Sequence, residues 1–140
     1  MTGAYVELDH PADLMLEIRG RNLHELLENG LYALYDHMVE LSQVQGADER
    51  LFVVSEEDVP STLRSLLQEA LVGFGTDGFL ACSAEVLSTG DGRTRARLHG
   101  ESYEPERHSL LTEIKAVTYH RLAASEDPTG SWRATVLLDV

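Results

Sequence analysis

Apolar and polar residues alternate from Ala4 to Leu8 and again from Asp13 to Arg19, where Leu14, Leu16 and Ile18 share one face. The pattern predicts two strands separated by a turn at DHPA, 9–12. The period then lengthens. Leu23, Leu26, Leu27, Leu31, Leu34, Met38 and Leu41 recur at helical spacing behind Asn22, an N-cap residue, with Glu25 three positions later as in a capping box. Gly30 is the weak point of this first helix. A short strand is expected over Leu51 to Val54, and Asp58 with Pro60 opens a second helix carrying Leu63, Leu66, Leu67, Ala70, Leu71 and Phe74. GTDG at 75–78 ends it. Strand patterns follow from Phe79 to Leu87, Arg93 to His99, Ile114 to Ala124, and Trp132 to the end of the sequence, with STGDG and EDPTGS as intervening turns.

Two amphipathic helices and about seven strands in this order predict an α+β fold, a single domain over 1–140 with both helices on one face of a mainly antiparallel sheet. The last two strands flank a short turn-rich loop and should form a hairpin. If Ala124 faces Ser131, then Ala116 stands opposite Asp139 and Lys115 lies close to Val140.

Charge narrows the function classes. The 24 acidic and 11 basic residues leave a formal charge of −13, the wrong sign for direct grip on nucleic acid and a better match to a basic protein partner or a cation. Ten of the eleven basic residues are Arg, and Lys115 is the one Lys, so its ammonium invites a question about role. Cys82 is the only cysteine, which excludes an intrachain disulfide or CxxC zinc site and suits an inert, buried thiol. No apolar run reaches membrane-span length and MTGAYVELDH has no signal-peptide pattern, so a soluble cytosolic protein is expected.

Several motifs carry a chemical reading beside a plainer one. HELLE at 24–28 lacks the second His of a zinc peptidase and belongs to the solvated face of a helix; GFGTDG at 73–78 lacks the Lys-Ser/Thr of a phosphate loop. DHPAD at 9–13 packs two carboxylates and His10 into a turn where they could converge on a cation, although local backbone capping explains the same residues. GESYEPERH at 100–108 reads as a polar loop with EPER as its turn. TEIKAVTYHRL at 112–122 places Glu113, Lys115 and Tyr119 on one strand face and His120 on the other, which a strand with polar ends also explains.

Together HPAD at 10–13, LEIRGRNLHELLENG after it, GESYEPERHSLLTEIKAVTYH at 100–120 and WRATVLLDV at 132–140 resemble the archease family, in the family's order. Pro11 and Met15 depart from the family's usual Thr and small residue. The resemblance implies a non-catalytic activator of the RtcB-type RNA ligase of tRNA splicing, promoting guanylylation of the ligase histidine and repeated turnover. It further implies a calcium site, or one for another hard divalent cation such as magnesium, at Asp13, Asp139 and Val140. His10, Lys115 and His120 are then candidates to face the partner's active site. Two other classes stay open: a small metal-dependent hydrolase with His10 or His120 as base, and a chaperone-like partner of an RNA-modifying enzyme.

Overall fold

The structure, a computed structural model, describes residues 3–8 and 13–140, so the expected turn at 9–12 and His10 lie outside the described residues. Helix α1 spans Leu23–Met38. The Asn22 side chain accepts the Glu25 N–H at 2.9 Å, as its cap position requires. Glu25 returns one residue further back than a capping box would, accepting the Arg21 N–H at 3.0 Å and holding the Arg21 guanidinium. The chain becomes extended at Val39, which leaves Leu41 outside α1 in a short 3-10 turn, Leu41–Gln43. Helix α2 spans Val59–Asp77, with Asp58 accepting the Ser61 N–H at 2.8 Å and Pro60 in the first turn. Of GTDG only Gly78 ends it, in the left-handed conformation at φ 75°.

Gly30, expected as a flaw in α1, is where α2 meets it. A Cβ at Gly30 would stand 2.5 Å from Leu63 Cδ1, so the missing side chain sets how closely the helices cross.

Among the described residues eight strands, all paired antiparallel, form two sheets rather than one. β1 (Tyr5–Leu8), β2 (Leu14–Gly20) and β8 (Trp132–Asp139) line up in that order, and β6 (Ala116–Val117) and β7 (Ala123–Glu126) both pair with the far edge of β8. β3 (Asp48–Val54), β5 (Arg93–Ser102) and β4 (Phe79–Gly90) make the second sheet, with β5 in the middle. α1 packs on both β2 and β4 and so joins the sheets through one core, where Leu16, Ile18, Leu26, Leu34, Leu66, Leu98 and Val136 are fully buried. β3, β4 and β5 outrun their apolar patterns because ladder pairing carries the polar residues at their ends.

The strand expected over 114–124 is broken. β7 pairs Ala124 with Ala134, whereas β6 pairs Ala116 with Asp139, so the 118–122 segment carries three residues more than the stretch of β8 it passes. Arg121 sits at φ 57°, Leu122 N–H reaches the Tyr119 carbonyl at 3.3 Å, and the Thr135 hydroxyl holds the Arg121 carbonyl at 2.9 Å. The assumed pairing of Ala124 with Ser131 is therefore off by three residues, and this excursion absorbs the error before Ala116. It also removes the alternation that placed Glu113, Lys115 and Tyr119 on one face.

Candidate functional site at the end of the central strand

β8 runs between β2 on one side and β6 on the other, and both neighbours finish their pairing at its C-terminal end. Leu14 faces Leu138, so Asp13 is the residue just before that pair and Asp139 the residue just after it. The ladder stops at that pair, so Asp13 and Asp139 flank it on adjacent strands at one end of the sheet. Met15 and Leu137, one step further in, are a buried cross-strand pair. On the other side Ala116 faces Asp139, and the Lys115 N–H donates to the Asp139 carbonyl at 2.7 Å. Two residues 126 positions apart thus reach one strand end, with Val140 next in line.

The Asp139 carboxylate is exposed and has neither a hydrogen-bond nor an ion-pair partner among the described residues. Lys115 approaches through its backbone only. Its ammonium makes no ion pair there, and the residue lines a cleft of about 390 Å³ with Met38, Leu71, Phe74 and Ile114. His120 is exposed in the 118–122 excursion, where its backbone N–H donates to the Thr118 hydroxyl oxygen at 3.2 Å. The Arg64 guanidinium of α2 pins this region, donating to the Val117 carbonyl at 3.0 Å and stacking 3.9 Å over the Tyr119 ring. Among the described residues no three His, Cys, Asp or Glu side chains converge as a metal cluster. A cation at the strand end would draw on the oxygens of Asp13, Asp139 and Val140, a hard donor set that fits calcium or magnesium and lacks the sulfur and imidazole of soft sites.

A second polar cluster was not legible as one. Glu101, at the end of β5, accepts from both terminal nitrogens of Arg107 at 2.8 and 3.2 Å and from the Gln45 N–H at 2.8 Å. Buried His108 accepts the Glu104 N–H on Nδ1 at 2.9 Å, so the hydrogen must sit on Nε2, which donates to Glu101 at 2.8 Å. EPER is the expected turn, and its function is to fold Arg107 and His108 back onto Glu101. Arg107 foremost, then the Gln45 amide and His108, pull the Glu101 carboxyl down to about 2. An unfolded chain binds this proton near pH 4.3. Between those two values it therefore holds more protons than the native state, and stability rises with pH. The contribution is complete above the higher value and disappears as pH falls through the lower one. Glu101→Gln should be less stable than the native protein at neutral pH and should show a shallower loss below about pH 4.3. Urea midpoints measured down the acid range check this; parallel curves would remove Glu101 from the account.

The family model described as the Archease protein family (MTH1598/TM1083) matches residues 5–140. Protein archease of Methanosarcina mazei is 33% identical over 97% of this chain and 95% of its own, and that of Archaeoglobus fulgidus is 36% identical over 97% and 98%. The solution structure of protein 1598 of Methanobacterium thermoautotrophicum superposes with a TM-score of 0.79 at 28% identity, covering 98% of this chain and 99% of that one. A crystal structure from Thermotoga maritima, of an archease described as a possible chaperone, shares the fold with a TM-score of 0.65 at 20% identity, covering 95% and 94%. With the match running through both sheets, both helices and the strand end, the chain belongs to the archease family.

Proposed function

We propose that this chain is a non-catalytic accessory protein that activates an RtcB-type RNA ligase in tRNA splicing or RNA repair. What supports the reading is that Asp13 and Asp139 flank the Leu14–Leu138 pair at one end of the sheet, in a chain that belongs to the archease family from residue 5 to residue 140. Asp13, Asp139 and Val140 would hold calcium or a similar hard cation, which supplies a compact positive charge for phosphate oxygens. The exposed carboxylate of Asp139 leaves that end of the sheet open to a partner. Lys115 is held to Asp139 through the backbone, and the acidic surface favours approach to a basic, nucleic-acid-handling enzyme. His10 and His120 are the further partner-facing candidates.

The test is turnover. A ligase supplied with this protein should join many RNA ends per enzyme molecule and be recovered bound to it from extract. Recovery of an RNA-modifying enzyme instead of a ligase would favour the chaperone reading. Phosphatase or esterase activity of the isolated chain, with no ligase response, would favour a hydrolase.

A further inference from the structure

Three of the ten arginines fall within five residues of β5, in the sequence RTRARLH at 93–99. Thr94, Ala96 and Leu98 point into the core, so Arg93, Arg95, Arg97 and His99 form one row on the outer face of the three-stranded sheet. Two of these groups are matched: Arg97 meets Glu85 at 3.0 Å and Glu49 at 3.5 Å, and His99 lies 3.5 Å from Glu49. The Arg93 and Arg95 side chains make neither ion pair nor hydrogen bond among the described residues. Their ladder neighbours could have been acidic in a chain of formal charge −13. They are Gly90 beside Arg93, and Val53 and Ser88 beside Arg95.

We infer that this row binds the phosphate backbone of a single-stranded polynucleotide. Charges placed on an edge strand guard against sheet-to-sheet pairing, but β5 is the central strand and has no free edge to guard. For the same reason an extended acidic peptide, which gains affinity by main-chain pairing at an edge, finds no such pairing over β5. A phosphate backbone needs only the guanidinium groups, which take its oxygens two at a time. Successive arginines stand about 6.8 Å apart, two residues at ~3.4 Å each, a step comparable to that between neighbouring phosphates of an extended strand. Leu51 and Val53, 48% and 38% exposed, are the direct ladder neighbours of Arg97 and Arg95 and offer apolar ground for unstacked bases, which a duplex would not present. The net charge excludes strong long-range attraction while leaving a local, salt-sensitive contact in place.

Fluorescence anisotropy of the full chain with a labelled RNA of about 12 nucleotides, within the span of single-strand sites, tests this without any ligase present. Contact of the two unmatched guanidinium groups with about two phosphates predicts a log–log salt slope near −1.4 (about 0.7 per phosphate), and Arg93→Gln with Arg95→Gln should weaken binding about tenfold or more and bring the slope close to zero. Arg21→Gln with Arg133→Gln removes the same charge from elsewhere, the turn ahead of α1 and strand β8, and should change little. Single-stranded DNA should bind comparably and duplex RNA more weakly. The inference is overturned if native protein shows no salt-dependent binding, if both double variants lose affinity equally, or if Arg93 and Arg95 govern self-association or acidic-peptide binding instead.

Discussion

A Gly100→Ala protein is expected to be recovered largely unfolded. Gly100 lies in the central strand of the three-stranded sheet, facing Asp48 of β3 and Ala81 of β4. A Cβ there would lie inside the Leu80 carbonyl oxygen and 2.7 Å from Ala81 Cα. Both are backbone atoms of a paired strand, so no rotamer change relieves them. Forcing a methyl group among side chains costs about 1–3 kcal/mol. Displacing a ladder strand should exceed that and approach much of the roughly 5–15 kcal/mol that holds a domain together. The strain would also reach Glu101, the next residue, and the network it shares with Arg107 and His108. Gly75→Ala is the matched contrast, since a Cβ at that position inside α2 meets nothing within 4 Å. It should gain up to about 1 kcal/mol from better helix propensity. Circular dichroism and urea unfolding of both proteins settle the matter, and a Gly100→Ala midpoint close to native would show that β4 yields.

Under the proposed function, Asp139→Asn is expected to abolish ligase activation and to lower calcium affinity by about tenfold or more, because it would remove one of few charged donors. Its thermal midpoint should stay level or rise slightly. The exposed carboxylate has no partner to lose among the described residues. That sign separates the functional reading from a structural one, under which stability and activation would fall together. Asp13→Asn should act in the same direction, and the double variant should add little to either. Lys115→Ala should reduce activation at unchanged stability, with Lys115→Arg restoring only part of it, since guanidinium and ammonium differ in shape and hydration.

Periodicity exposed both helices and their caps, because an apolar stripe and a cap residue are local signals. It left the division into two sheets hidden, since partner choice among strands depends on how α1 bridges β2 and β4. The hairpin estimate reached Ala116 opposite Asp139 by way of a mistaken turn pairing, which the 118–122 excursion offset. Asp13, Asp139 and Lys115 were marked by resemblance and register, whereas Glu101 read as one loop carboxylate among several. Its partners come from Gln45 on another segment and from a turn whose residues look merely polar. The arginine row lies in the strand expected over Arg93 to His99, but its lack of counter-charges depends on Val53 and Ser88, supplied by two other strands.

The pairing of β2 with β8 carries a consequence for the order of synthesis. The three-stranded sheet is made of segments that leave the ribosome within a span of 55 residues, 48 to 102, and can pair while the chain is still growing. Asp13 must wait for the last strand. A nascent chain that has not yet delivered β8 has no second carboxylate and no ladder to hold one, so the two halves of the site become neighbours only as translation reaches Asp139.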